Sequence, residues 1–372
     1  MIFSSLRTTA FRNLANMEIF TGAKNVFLVG ENGQGKTNFM EALYFCAYAS
    51  SFRTVRDSEI ACNGEKDFSA GVKIDQSIND EIIVKFENGK KNIVINGKRA
   101  EDRKDMLSIA PSIVFCHEDM EFVTGSPERR RWFFDQTLSL YDPVYLEDLR
   151  RYRRVLKSRN VLLRDFVQHK LAGSPEPVLD ALDLQLAMYG QKLMEKRETA
   201  SLQFSAVFGP LYEKVSGLAG INVLYISSWK GEKDIVAHLK ERRVSDMAAG
   251  VSLSGPHRDR YVFVHNGTEF AGKASTGQRR LLALLLRSAQ ARRFSEMTGL
   301  NPVLLLDDVL LEMDGEKRRR FLSVLPCYDQ AFYTFLPEEP YKRYCKENTL
   351  VYNVNAGQLV RASALTLQRS HD

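Results

Sequence analysis

The stretch Gly30-Glu31-Asn32-Gly33-Gln34-Gly35-Lys36-Thr37 decides how the chain is read. Four apolar residues precede it, Val26-Phe27-Leu28-Val29, the pattern of a buried strand. Asn38-Phe39-Met40-Glu41-Ala42-Leu43-Tyr44 follows, with Phe39, Leu43 and Ala47 at helical spacing. Strand, glycine-rich loop and helix are the context a phosphate-binding P-loop requires. The glycines let the backbone curl so that successive N–H groups face an anion, and the helix start adds partial positive charge. In this reading Gly30, Glu31, Asn32, Gly33, Gln34 and Gly35 cradle a nucleoside triphosphate. Lys36 reaches its β- and γ-phosphates, and the Thr37 hydroxyl holds Mg²⁺. A glycine turn that merely precedes a lysine would need neither the strand nor the helix.

A second motif lies far downstream. Pro302-Val303-Leu304-Leu305-Leu306-Asp307-Asp308 is a buried strand ending in two carboxylates, the place where a P-loop fold orders Mg²⁺ and the attacking water. Paired with the P-loop it reads as a Walker B strand, with Asp307 as the metal-binding acid. Some 270 residues separate the two motifs, far more than a compact P-loop domain needs. The middle is therefore an excursion, and the two ends of the chain fold together as one head. Before the Walker B strand, Lys273-Ala274-Ser275-Thr276-Gly277-Gln278-Arg279 opens a helix carrying Leu282, Leu285, Leu286 and Ala289 on one face. Ser275, Thr276, Gly277 and Gln278 form a second anion-binding helix end. Two such ends serve one γ-phosphate when two heads face each other and each serine completes the other's site.

The rest of the chain fits around these motifs. Residues 68–74, 81–86 and 92–96 alternate in polarity, with Glu87-Asn88-Gly89-Lys90 and Asn96-Gly97-Lys98 as hairpin turns, which predicts an antiparallel sheet beside the nucleotide strand. Phe11-Arg12-Asn13-Leu14 and Met17-Glu18-Ile19-Phe20 read as strands straddling a short turn. From Ser126 a helical region runs to about Ser216, and between Arg129 and Arg164 it carries ten basic residues against four acidic ones. Composition alone makes that a solvated helix face. Leu179, Leu182, Leu186, Tyr189 and Leu193 form a seam, continued by Ala200, Phe204, Val207 and Leu211, that wants a partner helix. Gly173-Ser174-Pro175-Glu176-Pro177 supplies the reversal of a helical hairpin. The expected division is a head from residues 1–125 and 245–372 with an inserted lobe from 126–244.

Bulk properties narrow the class. The 372 residues, 44% hydrophobic and 26% charged, suit a globular protein with a sizeable core. A net charge of +6 permits a nucleic-acid partner without arguing for one. Five cysteines without a C-x-x-C pair read as reduced thiols, not a zinc site. The N-terminus lacks a signal-peptide core and the longest apolar run is short, so a cytoplasmic protein without membrane contact is expected.

Further motifs carry a family likeness. They are Leu6 with Phe11-Arg12-Asn13, then Asn38 with Glu41-Ala42, Ser51-Phe52-Arg53-Thr54, and Gly125-Ser126-Pro127 with Arg130-Arg131. Leu253-Ser254-Gly255-Pro256-His257-Arg258-Asp259 and Leu304-Leu305-Leu306-Asp307-Asp308-Val309 complete the set. Nearly end to end, the chain resembles the RecF family of the ABC/SMC-like ATPases. The resemblance implies an α/β fold: an ABC-type P-loop ATPase head, a mixed sheet plus an antiparallel β subdomain, with an inserted α-helical lobe. It implies a homodimer that closes around ATP, with Ser275–Gln278 acting in trans and Asp308 orienting the water of a slow hydrolysis. It implies a DNA clamp near single-strand/double-strand junctions that works with RecR and RecO to place RecA on gapped DNA. Arg129, Arg130, Arg131, Arg150, Arg151, Arg153 and Arg154 are then the candidate DNA contacts. Thr276, Arg260, the Leu311-Glu312-Met313-Asp314 loop, Cys116-His117 and the residues after Thr334 depart from the family pattern. The rival readings are a small-molecule kinase or other metabolic ATPase, which leaves Ser275–Gln278 unexplained, and a transporter ATPase, in which the P-loop and signature lie much closer together.

Overall fold

All five residues of the strand Asn25–Val29 are buried in the computed structural model of the chain. The structure describes residues 1–75, 80–100, 102, 104–168, 176–310 and 313–362. Burial on both faces is why the strand reads as a continuous apolar run and not as an alternation. It sits inside a six-stranded sheet of order Gln358–Arg361, Thr349–Asn355, Asn25–Val29, Ala331–Phe335, Val303–Leu306, Ser112–Phe115. Every pairing is parallel except the outermost one, between Thr349–Asn355 and Gln358–Arg361. Both neighbours of the nucleotide strand thus come from the far end of the chain.

A second six-stranded sheet, antiparallel throughout, runs Met17–Phe20, Ile2–Thr9, Phe68–Asp75, Asp80–Glu87, Lys90–Ile95, Lys98–Arg99. Its strands alternate, with Phe68, Ala70, Val72 and Ile74 facing the core and Lys73 facing out. The helix Lys36–Tyr48 is apolar nearly all round because it packs on both sheets, with Phe39, Leu43 and Phe45 fully buried. Gln330 stitches the sheets. Its amide oxygen accepts from Phe3 N, and its nitrogen donates to the carbonyls of Phe3, Thr21 and Ala23. Phe11–Leu14 is not the expected strand: Ala10 and Arg12 take left-handed backbone angles, and Phe11 makes only an isolated bridge to Ala61.

The chain divides into two compact units, residues 1–119 with 294–372, and residues 120–293. In the second unit the helices Pro143–Val167 and Glu176–Ser216 run antiparallel, shown by the pairs Tyr145–Arg197 and Arg159–Asp183. Leu179, Leu186 and Leu193 of the seam are fully buried, and Phe208 takes the place expected for Val207. Residues 173–175 of the proposed reversal lie outside the described residues, while Glu176 and Pro177 already begin the helix. The expected return to the head at residue 245 is corrected: residues 245–293 pack with the helices. The strand Arg260–His265 pairs with Ile221–Ile226, and Arg159 holds Asp246 and Ser252. No helix among the described residues is long and apolar enough to cross a membrane.

Candidate nucleotide site

Two left-handed glycines and one close backbone approach shape the P-loop. Gly33 and Gly35 have φ of +78° and +116°, a region where side chains are strained. A Cβ on Gly30 would lie 2.3 Å from the Val354 carbonyl oxygen, so nothing larger fits between the two strands there. Gln34 fastens the loop to the turn after Thr349–Asn355: Gly357 N donates to its carbonyl and Ala356 N to its side-chain oxygen. Lys36 is buried, its Nζ donating to the carbonyls of Gly30 (2.6 Å) and Glu31 (3.0 Å). The ammonium is thus folded back over the loop whose N–H groups would face a phosphate chain. The open space around Gly33 and the caged ammonium fit an anion such as a triphosphate.

The two acids follow Val303–Leu306 directly. Thr37 Oγ1 donates to Asp307 Oδ1 at 3.0 Å across 270 residues of sequence. Burial, reinforced by the charge of Asp308, pushes the Asp307 carboxyl up to about 7, with Glu118 acting in the same direction against the Thr37 hydroxyl and Arg53. A buried carboxylate facing a hydroxyl, with a second acid beside it, is a donor set that suits a hard divalent cation such as Mg²⁺. Asp308 has φ +52°, and one hydroxyl holds it twice. Its N–H donates to Thr334 Oγ1 at 2.7 Å, and that hydroxyl donates to Asp308 Oδ1 at 2.8 Å.

Behind the loop, Glu41 is a fully buried carboxylate. Arg12 binds it with two nitrogens at 3.0 and 2.7 Å, Ser51 donates to it, and Arg53 reaches it at 3.3 Å. Arg53 also donates to Asn38, which donates to Asn13, a contact of the Gly33 carbonyl. The motifs around Arg12, Glu41 and Arg53 therefore brace the P-loop helix as one network. The role of Thr334 went unnoticed at the sequence level, as did Ala356 and Gly357. An Asn-Ala-Gly turn was the signal for the last two.

In the other unit, Ser275 and Gln278 cap the helix Thr276–Thr298 reciprocally, Gln278 N to Ser275 Oγ at 3.3 Å and Ser275 N to Gln278 Oε1 at 2.8 Å. Ser275, Thr276 and Gly277 are exposed. The candidate DNA-binding arginines are unevenly placed. Arg130 donates to the Val123 carbonyl and Arg131 to that of Asp259, and Arg150 is half-buried. Arg129, Arg151 and Arg153 are exposed but paired with Glu121, Glu147 and Asp135. The Arg154 side chain is exposed, with no ion pair or hydrogen bond among the described residues. Much of the 253–259 motif is packed inward: Asp259 holds Arg197 at 2.8 Å, and His257 lies between Tyr152 and the Ser252 carbonyl. Leu311 and Glu312 of the loop after the acids lie outside the described residues.

Comparison with known proteins agrees with this architecture. The model of the RecF/RecN/SMC N-terminal domain family matches residues 2–357. The DNA replication and repair protein RecF of Treponema pallidum (strain Nichols) is 44% identical over 93% of this chain and 97% of its own. Its counterpart in Moorella thermoacetica is 33% identical over 82% of each. A solved structure of the recombination mediator protein RecF with ATP, from the RecFOR pathway, superposes with a TM-score of 0.88 at 25% identity, covering 97% of this chain and 98% of that one. An Smc head from Pyrococcus furiosus shares the fold, with a TM-score of 0.55 at 16% identity over 98% of both chains. The match runs over almost the whole length: the chain belongs to the RecF family of ABC/SMC-type ATPases.

Proposed function

We propose that the chain is an ATP-gated DNA clamp of replication and recombinational repair. The observation that carries this is the meeting of Thr37 with Asp307 beside a clamped Asp308, just past the end of the strand Val303–Leu306. Residues 30–37 hold the phosphates of ATP. Thr37 and Asp307 hold Mg²⁺, which when bound neutralises charge on the β- and γ-phosphates. Asp308 orients the attacking water, and being one methylene shorter than glutamate it holds that water loosely, so hydrolysis is slow and serves as a switch.

Ser275–Gln278 of a second copy closes the other side of the γ-phosphate. The exposure of Ser275, Thr276 and Gly277 supports this role, because a helix start on the surface attracts an anion from outside the chain. Arg129, Arg151, Arg153 and Arg154 offer exposed guanidinium heads to DNA phosphates. The names of the relatives support work on DNA and in the RecFOR pathway. RecR and RecO are the partners proposed, with RecA downstream.

One experiment tests the sandwich. Ser275→Arg should leave ATP affinity within about twofold, while dimerisation and hydrolysis fail and DNA affinity falls with the dimer. Nucleotide binding measured beside sedimentation decides it. A loss of ATP binding as large as the loss of dimer would place the serine in its own subunit's site and end this reading.

A further inference from the structure

The face of the mixed sheet turned away from the helix Lys36–Tyr48 holds a cavity of about 180 Å³. Strand alternation sends Phe27, Tyr333 and Phe335 to that face, and all three form a buried floor. Half-buried Tyr344 walls one side, and Arg343 and Lys346 stand exposed on the rim. Among the described residues, neither cation's side chain has an ion pair or a hydrogen bond, and no carboxylate lines the cavity. An aromatic-floored cavity with two cations on its rim combines an apolar slot with positive charge. Isolated basic residues are ordinarily solvated or paired, and large apolar surface is ordinarily covered.

Size decides what could enter. An apolar cavity of about 150 Å³ accepts one benzene ring, whereas whole small-molecule ligands occupy roughly 300–1,000 Å³. The occupant is therefore a single side chain of a larger molecule. Its surroundings are taken to be acidic, since two cations meet it at the rim and no acid opposes them among the described residues. The geometry points to a docking site for an acidic segment of another protein. That segment inserts one aromatic or large aliphatic side chain over Phe27, Tyr333 and Phe335 and lays its carboxylates on Arg343 and Lys346. Buried anchor and charged rim are the usual division of labour in protein recognition, the anchor supplying affinity and the charges orientation and rate. The site is separate from the nucleotide residues and stands whether or not the clamp reading holds.

The test is fluorescence anisotropy with the full chain and a labelled peptide, Asp-Glu-Glu-Phe-Asp-Asp. Two control peptides replace its phenylalanine by alanine or its acids by lysine. The first peptide should bind about tenfold or more tighter than either control, and raising salt should weaken it. Arg343→Glu combined with Lys346→Glu lies on the exposed rim, away from the core. It should reduce that binding about tenfold or more while ATP affinity stays unchanged. No saturable binding of the phenylalanine peptide overturns the proposal. So does equal binding of the alanine peptide, or full binding by the rim variant. Displacement of the peptide by a single-stranded oligonucleotide that itself loses affinity in the rim variant would reassign the cavity to nucleic acid. Nucleotide-free self-association lost in the rim variant would reassign it to a second copy of this chain.

Discussion

Asp308 occupies left-handed backbone space, φ +52°, which costs a residue other than glycine about 1–3 kcal/mol unless its surroundings impose it. Thr334 is what imposes it, through bonds to both the N–H and the carboxylate. Thr334→Val should release the carboxylate, lowering single-turnover hydrolysis about tenfold or more while nucleotide affinity changes less than about twofold. Thr334→Ser should restore the rate, because the hydroxyl and not the methyl carries the effect. Equal rates in all three proteins would show that Thr334 does not position Asp308. His257 gives a prediction in pH. Burial lowers its pKa to about 4, with the charges of Arg258 and Arg131 adding to the effect, so it stays neutral between the Tyr152 hydroxyl and the Ser252 carbonyl. Unfolded, the same imidazole titrates near 6.5. The unfolded chain therefore binds the extra proton between these values and the folded one does not. The stabilisation is complete above pH 6.5 and is lost as pH falls toward 4, amounting to about 3 kcal/mol. Urea unfolding at pH 7.5 and 4.5 should show this slope, and His257→Gln should flatten its share of it.

Among the elements, the antiparallel helices of the second unit depend on an arginine that no solvent reaches. Arg159 is fully buried, with Asp183 and Asp246 at 2.7 Å and Ser252 at 2.8 Å. Replacing it with methionine would strand two buried carboxylates, only one of which keeps a second arginine, Arg243. Arg159→Met should destabilise the chain by about 3–5 kcal/mol, read as a fall in urea midpoint. An effect under about 1 kcal/mol would show that the carboxylates simply take up protons. This arginine also marks the limit of what the sequence discloses. The P-loop and the Walker B strand were legible because strand, loop and helix are local patterns. Arg131, Arg153 and Arg159 stand in the same basic run, yet their partners lie 128, 18 and 24 residues away. A guanidinium bound for an internal aspartate looks, in a list of residues, like one bound for a phosphate. The boundary at 245 failed for the same reason, since Asp246, Ser252 and Asp259 show their place through contacts with residues such as Arg159 and Arg197, far away in sequence. Thr334 was read for its departure from a family pattern, and its partner 26 residues back could not be seen.

At the scale of the molecule, Gln330 ties the opening strands to the closing ones with four hydrogen bonds, all buried. Gln330→Leu would leave the Phe3 N–H and the carbonyls of Thr21 and Ala23 without this partner in a dry interior. It should lower stability by about 2–4 kcal/mol in equilibrium unfolding, with ATP affinity falling in step as the folded fraction falls. A variant as stable as the parent would mean that water replaces the amide. The same pairing has a consequence for how the protein comes into being. Asn25–Val29 has neighbours on both sides only once Ala331–Phe335 and Thr349–Asn355 exist, about 300 residues later in synthesis. A ribosome adding roughly 5–20 residues each second needs about 15–60 s for that interval. Throughout it the strand stays exposed and must be kept from aggregating, which is work for a chaperone. A nascent chain released before its last strands emerge lacks both neighbours of its P-loop strand, so half-made protein has no formed nucleotide site.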